Sequence, residues 1–513
     1  MGSAVRVSAI RAFWRGAHPP PSLLKRLEPV YYVFFTLVFI GPLFYGTAST
    51  ALAEVATPHA VSLWGPSLAL VGLLAAARWG AVQGPVVFSV PDVAWLLSAP
   101  LRRKDLVLWR LVRGLAAGAG GAAIVAGLVL VGVAGDHRGV AADRAAGFVV
   151  AIALLGVLGV AAASLVQGSR RWDTATRRAV WPAAAIAVAL VAASAPGFAL
   201  WSGPWGWALQ PVASGGAWEP AVALLALLAA AAAGLALARR GAAPTERYVL
   251  RAEARGGAVA ALYSFDARYA RRSFTRVGGG PARTRRLRLP VPRSPGLAVA
   301  WRDAVAALRA PQRLGEALLL AAGGAVVCVA DAEHTAAVAG GALAIFAGAS
   351  RLLEPLRAET DSPDRGRLLL GSPLGRTLLR HAALPGAAVM AAAAVAAAGC
   401  AAAGALPRHG AAAALLVVAG TPAVTLCAAL SSRRGGRLPP SVMAVASTDT
   451  SGMGGAIVVA WIAAWPVLGI ALGTAPVSSV TRHGTAGLAQ LLLLLATATA
   501  TLAAALRWER FAP

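Results

Sequence analysis

The chain has 513 residues, 58% of them hydrophobic and 13% charged, with a mean hydropathy of +0.67. Soluble domains run about 45–50% apolar and about 25% charged, which argues against one large soluble enzyme and against a disordered chain. The net charge is +26, with only two lysines, Lys25 and Lys104. On a soluble face that excess would point to nucleic acid; in an apolar chain it must first be weighed against loop asymmetry.

A helix crosses a bilayer with roughly 20 apolar residues. At the N-terminus, Arg6, Arg11, Arg15, Lys25 and Arg26 precede an apolar run from Val30 to Tyr45. The basic region is too long, and too interrupted by Pro19-Pro20-Pro21, for a short signal-peptide start. The run is read as an uncleaved first span. Five more runs follow in the first half, near 61–77, 114–134, 145–167, 179–199 and 220–238. A basic connector covers about 239–294. Six further runs lie near 316–330, 335–350, 382–404, 411–430, 454–473 and 486–506. The expected fold is all-α, with about 12 transmembrane helices and both termini cytoplasmic.

Charge sets the orientation. With the N-terminus inside, the outward loops 51–60, 135–144, 200–219, 331–334, 405–410 and 474–485 hold only Arg138, Arg144, Arg408 and Arg482, leaving 43 of 47 basic residues inside. This is the positive-inside bias of a multi-pass protein, here of a bacterial cell membrane. The spans carry almost no ionisable groups, and all seven histidines lie in or beside loops. That weakens an ion-coupled transporter, and no HExxH helix is present for a metalloprotease. Cys328, Cys400 and Cys427 lie in apolar runs without CxxC spacing and read as small hydrophobes. Abundant Gly and Ala fit close helix packing and equally fit a GC-rich genome.

Two halves share landmarks. Trp14-Arg15 precedes Arg26-Leu27 as Trp301-Arg302 precedes Arg313-Leu314. After the second span, Arg78 is followed by Pro91-Asp92, Leu96-Leu97, Pro100-Leu101 and Arg103. Arg351 is followed by Pro363-Asp364, Leu369-Leu370, Pro373-Leu374 and Arg376. Six spans per half make the repeats parallel. The expected units are 1–238 and 295–513, joined by the connector 239–294. The connector holds 14 arginines from Arg239 to Arg293. Ala258, Leu262, Phe265 and Tyr269 share a helical face there, so it is either an interfacial helix on anionic lipid or a solvated linker. No aromatic stacking motif supports nucleic acid. Leu297, Trp301, Ala304, Val305 and Leu308 form an amphipathic stripe, as for a helix lying in the interface plane.

An amphipathic helix, six spans, and an inward loop reading Leu-Leu-x-x-Pro-Leu-x-Arg at Leu96–Arg103 and Leu369–Arg376 resemble the permease subunit of ABC-2-type transporters. The chain is also similar to large actinobacterial ABC-permease-like membrane proteins with two such units fused. The resemblance implies that these loops couple to a separate ATPase, two copies per chain, which binds the ATP; no cofactor, metal or catalytic residue is expected in the chain itself. The coupling residues would be Pro91, Asp92, Pro100, Leu101, Arg102, Arg103, Lys104 and Asp105, with Pro363, Asp364, Pro373, Leu374 and Arg376 in the second half. Physically, prolines stiffen the segment and the charges beyond Pro100 offer ion pairs; a plain positive-inside loop is the alternative. Neither lysine sits in GxxxxGK[ST], so the chain carries no P-loop. Trp201, Trp205, Trp207 and Trp218 mark either an aromatic belt or, by the resemblance, an external gate. A 12-span secondary transporter and a membrane-embedded enzyme on lipid-linked substrates are the competing readings.

Overall fold

A computed structural model describes residues 58–97, 103–135, 140–192, 196–214, 218–240, 243–263, 294–361, 374–433, 442–444 and 453–507, together with 216, 273, 290 and 292. Among these the chain forms helices and no strand. It divides into two compact units: residues 1–259 with 271–279, and residues 260–270 with 280–513. Among the described residues ten helices are long and apolar enough to cross a membrane, four in the first unit and six in the second.

The first unit contains α1 (Pro58–Val82), α2 (Val90–Leu96), α3 (Arg103–Gly135), α4 (Ala142–Gly168) and α5 (Arg170–Ala192). Three short helices follow: α6 (Pro196–Trp201), α7 (Pro204–Trp207) and α8 (Gln210–Ala213). The unit continues with α9 (Glu219–Arg240) and α10 (Thr245–Tyr263). α4 is apolar on all sides and occupies the centre, packing against α1, α3, α5 and α9.

The second unit contains α11 (Pro295–Arg309), α12 (Pro311–Ala330), α13 (Thr335–Leu352), α14 (Glu354–Asp361) and α15 (Leu374–Ala402). It continues with α16 (Gly410–Arg433), α17 (Met453–His483) and α18 (Leu488–Arg507). α16 is the central helix and touches α12, α13, α15, α17 and α18. One continuous apolar core runs through this unit. Cys328, Cys400 and Cys427 are buried in it as free thiols.

Two expectations change, and a third is untouched by the described residues. The run at 30–50 lies outside the described residues. The run at 179–199 falls on α5 and α6. α5 opens with Arg170, Arg171, Asp173, Arg177 and Arg178, so its apolar part is only 179–192, too short to cross by itself. The outward loop expected at 474–485 is helical up to His483, and the chain turns at Gly484 with φ 77°. That stretch is polar, but its hydroxyls bond back to the helix's own carbonyls. Ser478 donates to Thr474 O at 3.0 Å and Thr481 to Val477 O at 3.3 Å, which keeps a helix satisfied in an apolar setting. The stripe on α11 is helical as expected, yet Val305 is buried while Leu297 and Leu308 stay exposed. Within the connector, α10 includes Ala258; Phe265 and Tyr269 lie outside the described residues.

The small residues divide into two sets. A Cβ on Gly341 would lie 2.5 Å from Gly324 O, and one on Gly348 would lie 2.6 Å from Ala317 O. Here α12 and α13 meet backbone to backbone. A Cβ on Gly323, Gly340 or Gly399 would meet nothing within 4 Å; those glycines carry no packing role. Gly341→Ala is therefore expected to cost about 1–3 kcal/mol through overpacking, and Gly340→Ala to be neutral. Thermal unfolding of the two purified variants measures the difference; equal midpoints would remove the close-approach argument.

Candidate functional site

The segment after α1 is built by local signals. Gly84 adopts φ 71° and closes α1, its N–H bonding Trp79 O at 3.1 Å. Gln167, 2% exposed at the end of α4, then holds the outgoing strand-like segment. Its Oε1 accepts from Val86 N at 3.1 Å and its Nε2 donates to Val86 O at 2.7 Å. Ser89 caps α2 with a full capping box: Asp92 N donates to Ser89 Oγ at 3.2 Å and Ser89 N to Asp92 Oδ2 at 3.0 Å.

The element positioned this way carries Pro91 and Asp92. Asp92 also pairs with Arg110 of α3. The Arg110 guanidinium stacks 4.5 Å over Trp109 and 5.7 Å over Phe88, and Phe88 meets Tyr248 edge-on at 5.2 Å. Val86, Phe88, Leu106, Leu111 and Tyr248 are buried together, with Val93 and Leu97 of the α2 region packed on them. One face of α2 is thus anchored. The other shows Val90, Pro91 and Trp95 to the outside, Trp95 at 70% exposure. The expected loop is therefore a short docked helix.

Pro100, Leu101 and Arg102 lie outside the described residues, as do Pro363, Asp364 and Pro373. Arg103 and Lys104 open α3, and Leu374 opens α15. Asp105 is half-buried, and its Oδ2 has no hydrogen-bond partner among the described residues. Arg376 is exposed on α15. The two landmark arginines, near the C-terminal ends of α1 and α13, are both held by carboxylates: Arg78 by Asp173 of α5 at 3.3 Å, Arg351 by Glu316 of α12.

The second unit holds a cluster that the sequence did not reveal. His381, on α15, is 1% exposed; Asp303 on α11 is 4% exposed and Glu359 on α14 is 7% exposed. His381 Nδ1 lies 2.5 Å from Asp303 Oδ2 and its Nε2 lies 3.0 Å from Arg302 Nη2. Guanidinium groups only donate, so Nε2 accepts and Nδ1 carries the proton toward Asp303. Arg302 Nη2 also donates to Glu359 Oε2 at 3.2 Å. Asp303 Oδ1 and Glu359 Oε1 are buried without a hydrogen-bond partner among the described residues. Three elements (the amphipathic helix, the helix that leads into 362–373, and the base of the next long helix) are thereby tied at one point. The sequence puts His381 beside a loop; its burial arises from partners on α11, 78 residues away in the chain. The available signal was an acid, Asp303, inside an otherwise basic amphipathic helix.

The four tryptophans divide. Trp205 packs with Leu70 and Ala183 and donates to Ser202 Oγ at 2.8 Å, while Trp207 packs with Leu155 and Leu224. Trp201 and Trp218 stack on each other at 6.3 Å and are exposed. Only this second pair has the exposure an aromatic belt needs. Among the described residues no group of His, Cys, Asp and Glu has the arrangement to hold a metal ion. No protein-family model and no curated protein matches the chain.

Proposed function

We propose that this chain is the membrane permease of an exporter driven by a separate ATP-binding-cassette ATPase. The observation that carries the reading is α2: a capped, internally anchored helix between two apolar helices, with Val90, Pro91 and Trp95 facing outward, that runs directly into the first Leu-Leu-x-x-Pro-Leu-x-Arg segment, Leu96–Arg103. A rigid lever with exposed apolar side chains suits docking in a groove of a soluble partner. In this reading twelve spans form two parallel repeats, with the arginine-rich ends and both termini in the cytoplasm. One chain supplies both halves of the path and binds two ATPase copies. ATP is hydrolysed by the partner, and the chain holds no catalytic residue of its own. The helices at 196–213 form part of the outer gate.

Co-purification from the native host tests the assembly: an ATPase at two copies per chain is expected, and a complex with two permease chains would overturn the fused-repeat stoichiometry. Arg103→Ala and Asp105→Ala are expected to insert normally while lowering ATP-driven export at least tenfold. Full export with both loops scrambled would end the coupling reading.

The Asp303–His381 pair favours a second reading, a proton-coupled transporter, because buried ionisable groups at a span mark proton paths by default. Transport that survives ATP depletion and stops with a protonophore would select it.

A further inference from the structure

In the first unit, α1, α3 and α4 line an open groove of about 690 Å³, within the usual range of small-molecule sites, about 300–1,000 Å³. It follows α1 from Ala69 to Gln83, about 21 Å at 1.5 Å per residue. That exceeds one leaflet of a hydrocarbon layer about 30 Å thick. Its walls include Gly72, Ala76, Gly118 and Gly156, and a Cβ on Gly72 would meet nothing within 4 Å. At Gly72 the missing side chain leaves space, whereas Gly118 and Gly156 let α3 and α4 meet closely, a Cβ on Gly156 lying 2.6 Å from Gly118 O. Polar side chains enter at one end only, as Gln83 and Arg255.

Arg255 is the third of a row. Arg247, Arg251 and Arg255 recur every fourth residue on one face of α10. The first two are committed to helix ends. Arg247 donates to Gln167 O at 3.4 Å, and Arg251 donates to Gly80 O at 3.3 Å and Ala81 O at 3.1 Å. Those carbonyls belong to the last turns of α4 and α1, which helix geometry leaves open and which carry the negative end of the dipole. Burial, with Arg247 alongside, lowers Arg251 to about 10, so it stays cationic at neutral pH. Arg255 has no such duty. It is exposed at the mouth of the groove, and among the described residues no carboxylate pairs with it. Its cationic neighbour Arg110 already has Asp92.

We infer that the groove binds one acyl chain of an anionic membrane lipid, with the headgroup phosphate on Arg255. A long apolar groove ending in a cation with no carboxylate partner among the described residues complements that amphiphile. A zwitterionic headgroup brings its own cation and gains less from Arg255. The assignment stands whether or not the chain partners an ATPase.

The test is native mass spectrometry of the purified full chain, titrated with phosphatidylglycerol or phosphatidylcholine of identical acyl chains. Phosphatidylglycerol is expected to bind about fivefold tighter, the effect of one basic residue near a membrane surface. Arg255→Ala should abolish the preference, and Gly72→Leu, filling the groove, should weaken both lipids. A phosphatidylglycerol with a photoreactive group on its acyl chain should label 69–83, 114–125 and 152–163 of the unaltered protein, which answers the question even if a variant fails to fold. Equal binding of the two lipids, a preference that survives Arg255→Ala, or labelling confined to other segments would overturn the assignment.

Discussion

His381→Leu is expected to destabilise the second unit by about 3–5 kcal/mol, the cost of leaving a buried charge without its partner. Asp303 would keep one oxygen already lacking a hydrogen bond and lose the partner of the other. Arg302 does not replace it, since its nearest approach to Asp303 is 3.9 Å and its side chain is 46% exposed. The double variant Asp303→Leu/His381→Leu should recover most of the loss, because apolar groups replacing both members of a buried pair leave no orphaned charge. Asp303→Asn should lie between, keeping an acceptor for Nδ1–H while removing the charge. The protein carries its own reporter: its only three cysteines are Cys328, Cys400 and Cys427, all buried in the second unit. A thiol-reactive fluorophore followed during heating therefore reads that unit specifically. A single variant that unfolds at the temperature of the unaltered chain would show that the cluster bears no load.

The elements that follow from local chemistry were legible in the sequence, and those that depend on distant partners were not. Apolar length alone located the ten described helices that can cross a membrane. The stop at Gly84-Pro85 and the Ser89-x-x-Asp92 capping box are local signals for a helix where a loop was expected. The end of α17 was misplaced because Ser478 and Thr481 look like loop residues until their hydroxyls are seen to bond within the helix. The His381–Asp303 contact joins residues 78 positions apart, and the Gln167–Val86 contact spans 81. No periodicity encodes such pairs. Composition was likewise silent on which glycines pack: Gly340 and Gly341 are neighbours, and only the second faces a backbone.

Trp95→Asp is expected to abolish most ATPase binding while leaving the fold intact. Two observations separate those outcomes. Trp95 is 70% exposed, so its replacement opens no cavity in the chain itself. Asp92 in the capping box and on Arg110, with Val93 and Leu97 against the Leu106 cluster, anchors the opposite side of α2. A tryptophan at the centre of an interface commonly contributes 2 kcal/mol or more, which is about 30-fold in affinity. A carboxylate in its place also adds an unpaired charge to a desolvated surface. Asp92→Ala should act differently. It removes the reciprocal half of the capping box, leaving the Ser89 cap in place, and frees Arg110, loosening the lever itself, so export should fall more than ATPase binding does. Affinity and export measured on both variants distinguish a docking face from its mounting. Unchanged ATPase affinity in Trp95→Asp would mean that the exposed face of α2 is only an interfacial anchor in the lipid headgroups, where tryptophan is also at home.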